Sequence, residues 1–286
     1  VTTAANCNIA WSTASQRMHE LQVNLGHTAR TCTVTGQFDS HRYVESDLTV
    51  TNCKLYANGA TFKIAGDVSL ATNATLQMGT SNTNAEFGSL TIASGTTYLA
   101  TSGVTTLNGS LANSGTFTHN SGTTTFATAG AKTITGSSTT ALYNLILNQL
   151  GSNLTLSSNI NIERDLTVTS GMLRPAPDTK GSELTITFGT TAYASQLELD
   201  SYGIGFEAGG NNTYACVFAG TSAIFPFKVL STSSAGIDFD SGGSSSKVKL
   251  SNIDYDLALT TGGEGVTITL TGDCEFDAVT VSAGDT

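Results

Sequence analysis

The sequence predicts an all-β fold, a parallel β-solenoid (β-helix) with coils of about 21 residues. Four similar segments begin 20, 22 and 21 residues apart: Asp47-Leu48-Thr49-Val50, Asp67-Val68-Ser69-Leu70, Ser89-Leu90-Thr91-Ile92 and Ser110-Leu111-Ala112-Asn113. A shorter repeat of seven residues relates NSGTFTH at 113–119 to NSGTTTF at 120–126. Because three such units make one coil, each coil is predicted to have three sides, each a short strand followed by a turn.

Apolar and polar residues alternate almost without interruption between residues 45 and 190, which we assign to the solenoid repeats. This period of two is typical of strands with one buried side, and no segment shows the period of an amphipathic helix. We therefore predict almost no helix. The residues predicted to be buried are Leu90, Ile92, Leu145, Leu147, Leu166 and Val168, and those predicted to face outward are Thr91, Asn144 and Thr167.

Residues 1–44 are predicted to form an irregular N-terminal cap. This part of the chain is the least repetitive, and it contains Trp11 and the three histidines His19, His27 and His41. The histidines are not at the spacing of metal ligands. A solenoid needs a cover at its end because an open coil leaves backbone hydrogen-bonding groups unpaired.

Composition and charge restrict the partners of the chain. Only 12% of the residues are charged, and the formal net charge is −10. An acidic chain is poorly suited to binding the phosphates of nucleic acid, so no nucleic-acid partner is expected. No apolar run approaches the roughly 18 residues of a membrane span, so no membrane insertion is expected either.

The five cysteines each stand two residues from an apolar residue, which on a strand places both side chains on one face. The favoured interpretation is that they are small buried hydrophobic residues. One alternative is a disulfide among Cys7, Cys32 and Cys53, which are separated by 25 and 21 residues, or about one coil each. If all three occupied equivalent inward positions, one bridge at most could form among them. Metal binding or catalysis is the other alternative, although no Cys-x-x-Cys or histidine ligand spacing accompanies the cysteines.

The C-terminal region, residues 191–286, is predicted to consist of wider solenoid coils or of a small β-sandwich. Charged residues alternate with apolar ones in three of its segments, and we expect ion pairs between neighbouring acidic and basic strands. The acidic residues are also the candidates for a calcium site. These charged residues are Asp238, Asp240, Lys247, Lys249, Asp254 and Asp256.

Aromatic residues are concentrated between residues 193 and 227. Aromatic rings beside amide side chains suit the binding of sugar rings, whereas the alternative is a larger core for wider coils. The candidate glycan contacts are Tyr193, Tyr202, Asn211, Asn212 and Tyr214.

No motif for catalysis or for a cofactor stands in a suitable context. The nucleophile elbow, the phosphate-binding loop and the dinucleotide fingerprint each require a strand followed by a helix, and none occurs here. We therefore expect no enzymatic activity, no catalytic residue and no cofactor.

Several stretches resemble repeat modules of large surface proteins. They are LANSGTFTHNSGTTTF at 111–126, AKTITG at 131–136, LYNLILN at 142–148 and TGDCEFDAVTVSAGDT at 271–286. They are similar to repeats of very large bacterial surface and adhesin-like proteins and of structural proteins of marine tailed phages. The resemblance implies a passive extracellular or virion β-solenoid and carries over no catalytic residue.

Together these observations favour a structural or binding protein, a segment of a virion fibre or appendage or of an extracellular surface filament. We expect it to assemble with copies of itself, as a homo-oligomer or longer fibre, and to present Thr/Asn/Ser-rich faces to a neighbour or a host glycan. The alternatives are a secreted β-helix polysaccharide lyase or hydrolase and a cell-surface adhesin. The chain begins at Val1 without an initiator methionine, which is typical of a processed chain or of a fragment. Because it stops at Ala283-Gly284-Asp285-Thr286 without a closing element, we expect a fragment of a longer protein.

Overall fold

A computed structural model describes the backbone in these parts of the chain: residues 6–10, 20–36, 38–39, 46–59, 61–79, 84–175, 184–190, 197–199, 204–207, 215–220, 225–226, 237–240, 246–251, 253–254, 257–259, 266–271 and 279–281. Within these residues the secondary structure consists of β-strands, without any helix. The predicted all-β class is therefore confirmed.

The strands of the first half are short, most of them three to five residues. They are β1 (Cys7–Ala10), β2 (Glu20–Asn24), β3 (Thr31–Thr35), β4 (Phe38–Asp39), β5 (Asp47–Thr51), β6 (Lys54–Asn58), β7 (Thr61–Lys63), β8 (Val68–Ala71), β9 (Thr75–Met78), β10 (Asn84–Phe87), β11 (Leu90–Ile92), β12 (Thr97–Leu99), β13 (Val104–Leu107), β14 (Leu111–Asn113), β15 (Thr116–Thr118), β16 (Thr123–Ala127), β17 (Lys132–Thr135) and β18 (Thr140–Leu142).

The strands of the second half are more variable in length. They are β19 (Asn144–Leu156), β20 (Ile160–Ile162), β21 (Leu166–Pro175), β22 (Leu184–Phe188), β23 (Leu197–Leu199), β24 (Ile204–Glu207), β25 (Ala215–Gly220), β26 (Phe225–Pro226), β27 (Ile237–Asp240), β28 (Ser246–Ser251), β29 (Ile253–Asp254), β30 (Leu257–Leu259), β31 (Val266–Thr271) and β32 (Val279–Val281).

The chain divides into two compact units, Val1–Ala127 with Ile134–Tyr143 and Thr128–Thr133 with Asn144–Thr286. The boundaries drawn from the sequence at residues 44/45 and 190/191 stay a prediction.

The first unit is a parallel β-solenoid with three strands in each coil. From β3 to β14, every strand pairs in parallel with the strand three places further along the chain. Three sides result: face A with β1, β3, β6, β9, β12 and β15; face B with β2, β5, β8, β11, β14 and β17; and face C with β4, β7, β10, β13 and β16. The four similar segments of the sequence contribute the successive face B strands β5, β8, β11 and β14, which confirms the predicted coil.

The interior follows the predicted alternation. The six residues predicted to be buried, three pairs on β11, β19 and β21, are at most 1% exposed. Thr91 is exposed, as predicted, whereas Thr167 and Asn144 are half-buried. An inward aliphatic side chain lies directly over its equivalent in the next coil, as Leu48, Val68 and Leu90 do on face B.

Aromatic rings fill the interior between faces A and C. Phe62, Phe87, Tyr98 and Phe117 contact one another edge to face, with successive ring centroids 6.3, 5.9 and 5.3 Å apart. Tyr98 is fully buried and its hydroxyl lies 3.1 Å from Oγ1 of Thr105, which points inward from face C. This hydrogen bond satisfies a phenol that would otherwise be buried without a partner.

The corner that precedes face B is built from small residues because the coils approach closely there. The amide of Gly88 donates to the carbonyl of Gly66 at 2.7 Å, and the amide of Gly109 donates to that of Gly88 at 2.7 Å. At the residue after this corner, the Asp47 carboxylate accepts a hydrogen bond of 2.8 Å from the backbone amide of Asp67. The Asp67 carboxylate accepts one of the same length from the backbone amide of Ser89. These bonds explain why the repeat begins with Asp or Ser, which follows glycine in three of the four segments.

The second unit is also built from parallel strands. Partners within the sheet β20, β22, β25, β28 and β31 lie 26, 32, 32 and 20 residues apart. Two further pairs, β21 with β23 and β24 with β27, join residues 31 and 33 apart. The described strands of the C-terminal region therefore continue the parallel arrangement of the solenoid, whereas a β-sandwich is built from antiparallel strands. The separation of paired residues varies there, from 20 residues between β28 and β31 to 33 between β24 and β27.

Replacing Gly88 by alanine should destabilise the first unit. A methyl group built on Gly88 lies 2.6 Å from the Gly66 carbonyl oxygen and 2.8 Å from its carbon, so two coils must move apart. We expect the free energy of unfolding to fall by about 1–3 kcal/mol in chemical denaturation. The control is Thr91→Ala on the exposed side of β11, which should change it by less than about 0.5 kcal/mol. Equal effects of the two substitutions would show that the corner is not closely packed.

Tyr98 should make the fold sensitive to alkali. Burial raises the pKa of Tyr98 well above its ordinary value of about 10, and the hydrogen bond from Thr105 offsets only part of this. Below that ordinary value both states keep the proton and stability is complete. Above it the unfolded chain loses the proton while the folded chain keeps it, so the free energy of unfolding falls by up to about 1.4 kcal/mol per pH unit.

Urea titrations of Tyr98→Phe and of the native chain between about pH 8 and pH 11 measure this slope. The substitution should remove the contribution of Tyr98 above about pH 10, at a cost of roughly 0.5–1.5 kcal/mol at neutral pH for the lost hydrogen bond. Thr105→Val is the matched control. It removes the hydrogen-bond partner of Tyr98 but keeps the buried phenol, so the free energy of unfolding should still fall with pH above about pH 10. If the free energy of unfolding of the native chain and of Tyr98→Phe had the same pH dependence above about pH 10, Tyr98 would not be the source of the alkali sensitivity.

Candidate functional site

The charged strands of the second unit do not pair with one another, so the prediction that acidic and basic strands lie side by side is wrong. The strand of Asp238 and Asp240 pairs with β24, that of Lys247 pairs with β25 and β31, and that of Asp254 pairs with β26. In a solenoid, strands adjacent in sequence lie on different sides of the coil, and pairing occurs with the strand one coil away. Asp256 lies outside the described residues.

The candidate metal residues are also divided between sheets. Asp238 and Asp240 occupy one end of the path β21, β24 and β27, whereas Asp254 belongs to the two-stranded sheet of β26 and β29. Among the residues whose positions are described, no three His, Cys, Asp or Glu side chains come together as a metal site would require.

The candidate glycan contacts fall outside the described parts of the chain. They are Tyr193, Tyr202, Asn211, Asn212 and Tyr214. Their role stays a prediction.

The feature that the described structure offers to a partner is a set of aligned polar columns on the first unit. Outward side chains on successive coils stand directly over one another, because the strands pair without a shift in register. On face A one column consists of Thr31, Lys54, Thr75, Thr97 and Thr116. The next column consists of Thr33, Tyr56, Gln77, Leu99 and Thr118.

Faces B and C carry similar columns. The face B column contains only small or amide side chains: Gln22, Thr49, Ser69, Thr91, Ala112 and Thr135. The two face C columns are Thr61, Asn84, Val104 and Thr123, and Lys63, Glu86, Thr106 and Thr125. Neighbouring members are separated by about 4.8 Å, the spacing of paired strands.

The few charges on these faces are neutralised or covered locally. Lys63 forms an ion pair of 2.9 Å with Glu86 between adjacent coils of face C, and the Asn108 side-chain amide donates to the same carboxylate at 3.0 Å. On face A the Lys54 ammonium lies 5.6 Å from the centre of the Tyr56 ring, a cation–π contact. The faces are therefore hydrogen-bonding surfaces more than charged ones.

Lys132 is a buried cation held by its own loop. Its ammonium donates to the carbonyls of Thr128, Ala129 and Gly130 at 2.9, 3.4 and 3.1 Å. Burial lowers the pKa of Lys132, while the three carbonyls stabilise its charged form. All three donors are used in closing the loop, so this lysine has a structural explanation.

Two of the cysteines form a disulfide, which corrects the favoured interpretation for them. Cys7 on β1 stands directly opposite Cys32 on β3, and the two are bridged. Cys32 is followed on face A by Leu55, so Cys53 does not occupy the equivalent position. Cys53 is instead a free, fully buried residue whose thiol lies 3.4 Å from the Val23 carbonyl, as the hydrophobic interpretation predicted for it.

Comparison with known proteins gives no relative. No protein-family model matches the chain, and no curated protein sequence or solved structure matches it. Within the described residues no helix has the length and apolar character needed to cross a membrane.

The pairing of the cysteines can be checked directly. Digestion of the unreduced, denatured chain should release one peptide pair joined through Cys7 and Cys32, and reduction should separate it. Cys53 should react with an alkylating reagent only after denaturation, since its thiol is inaccessible in the folded chain. A bridge from Cys53 to either partner would contradict the register of β1, β3 and β6.

Proposed function

We propose that this chain is a non-enzymatic structural segment of a virion fibre or appendage, or of an extracellular surface filament. Its flat polar faces make the contacts, either between copies of the chain or with a host glycan. The observation that carries the proposal is the alignment of outward Thr, Ser, Asn and Gln side chains into columns that repeat at every coil.

Repeated columns suit partners that are themselves repetitive. A row of hydroxyl and amide groups at strand spacing offers donors and acceptors in a regular line, so a second solenoid or a linear glycan makes the same contact at several coils. Each contact is weak, but several that form together give a useful affinity. A single concave pocket makes one contact and cannot sum the affinity of several contacts along the solenoid axis.

The character of the surface also supports contacts of this kind. Val104, at 37% exposed, is the one large hydrophobic side chain classed as exposed among the described residues. Association through such faces depends on hydrogen bonds and bridging water more than on apolar burial. The polar faces therefore favour partners whose hydrogen-bonding groups match the spacing of the columns.

The disulfide supports placement outside the cytosol. Disulfides form and persist in oxidising surroundings such as the extracellular space and the surface of virions. The Cys7–Cys32 bridge joins the first two described strands of face A, where a covalent link strengthens the end of the fold. This agrees with an extracellular or virion location.

The proposal predicts association that depends on one of the faces. Sedimentation and light scattering of the native, oxidised chain should show a mass that rises with concentration. The variants Thr91→Arg, Thr97→Arg and Thr106→Arg each place a long charged side chain in the middle of one face, and the variant on the contact face should weaken association at least tenfold. Ser102→Arg adds the same charge at an exposed turn and should have no such effect.

The glycan and enzyme alternatives are separated in the same preparation. If the chain is retained on an immobilised glycan and does not cleave it, the result supports binding of a host glycan by one of the polar faces. New reducing or unsaturated ends in acidic polysaccharides, lost in Asp238→Ala or Asp254→Ala, would contradict a non-enzymatic role. A constant monomer mass at high concentration together with no retained glycan would also contradict the proposal.

A further inference from the structure

The first strand of face A is held at the edge of its sheet by a covalent link. Among the described strands, β1 is the last strand of this sheet, and its partner there is β3. It contributes four residue pairs, from Cys7 with Cys32 to Ala10 with Thr35. So short a strand at a sheet edge gains little from packing and is prone to local opening.

Two links oppose this opening, and both lie at the start of the strand. The Cys7–Cys32 disulfide joins directly opposed residues, and the Asn6 side chain accepts a hydrogen bond of 3.0 Å from the amide of Thr31. Closing the 25-residue separation covalently disfavours release of β1 by on the order of 10²-fold relative to the reduced chain.

The strand that β1 covers is well suited to pair with another chain. Strand β3 has the sequence Thr31-Cys32-Thr33-Val34-Thr35, which lacks charge, proline and glycine and is rich in β-branched residues. Sheet edges of this composition recruit further strands when they are uncovered. The strand that matches this edge in length and register is β1 itself, whether from the same copy or from another.

We infer that the Cys7–Cys32 disulfide is a redox-sensitive clip that controls exchange of β1 between copies of this chain. This inference rests on the proposed assembly role. In the oxidised chain β1 stays on its own β3. Reduction by a dithiol transfers two electrons and two protons to Cys7 and Cys32, and the dithiol becomes a disulfide. The released β1 then pairs with the β3 of a second copy in the same register. A small-molecule disulfide then takes two electrons and two protons from Cys7 of one copy and Cys32 of the other, becomes two thiols and leaves an intermolecular Cys7–Cys32 bridge.

The test combines two variants, each lacking one of the two bridged cysteines, in a Cys53→Ala background that keeps Cys216 and Cys274. Ala74 occupies the corresponding corner one coil later and is equally buried, so alanine is a compatible replacement there. Cys7→Ser retains the β3 thiol and Cys32→Ser retains the β1 thiol. When the two chains are mixed at high concentration and oxidised, we expect a covalent dimer whose linked peptides contain Cys7 and Cys32.

Hydrogen exchange measured on the same variants checks the clip separately. Amides of β1 should exchange on the order of 10²-fold faster than in the oxidised Cys53→Ala chain, while those of β5, β8 and β11 keep their protection, which shows that the solenoid is folded. Unchanged protection of β1 would overturn the role of the disulfide as a clip. Loss of protection without the mixed Cys7–Cys32 dimer would overturn exchange between copies. Association of the native, oxidised chain is measured independently, so either result leaves the test of the proposed function intact.

Discussion

Parallel backbone pairing between successive coils is the constraint on which the rest of this structure depends. Paired strands lie about 4.8 Å apart, so each position of a coil meets the same position of the next one. Inside, aliphatic residues such as Leu48 and Val68 must stack, and aromatic rings such as Tyr98 extend towards small residues on the opposite side. At the corners, Gly88 is needed where the Gly66 backbone approaches. Outside, the same pairing aligns hydroxyl and amide side chains into columns.

The parts of the fold that follow from local pattern could be predicted from the sequence. Burial of Leu90 and Ile92 around an exposed Thr91 requires only the period of a strand, and the repeated Asp or Ser at the corner marks the coil. Pairing between distant segments could not be predicted in the same way, because turns vary in length. Along face A, coils of 25 and 19 residues separate Cys7 from Cys32 and Tyr98 from Phe117. The expected pairing of the charged strands next to one another in sequence failed for this reason, and the disulfide stayed one of several open interpretations of the cysteines.

The candidate surface was partly visible in the sequence for a related reason. Alternation identifies residues such as Thr49 and Thr97 as outward-facing, but their arrangement in columns depends on which strands pair. Once the register is known, the surface that a partner meets is a set of regular polar lines with local charge pairs such as Lys63–Glu86. A solenoid with such sides and with a disulfide at its first strand is suited to repeated contacts along its length, which is the basis of the proposed structural role.

Every other feature of the solenoid follows from its pairing register, which backbone NOEs of the isotopically labelled chain can measure. We expect contacts from residue 49 to residue 69 and from residue 69 to residue 91, which are partners on successive coils of face B. We expect no ladder of contacts between β5 and β6, which follow one another in sequence but lie on different faces. Antiparallel contacts between such sequence neighbours, as in a series of hairpins, would contradict the solenoid and every inference drawn from its columns.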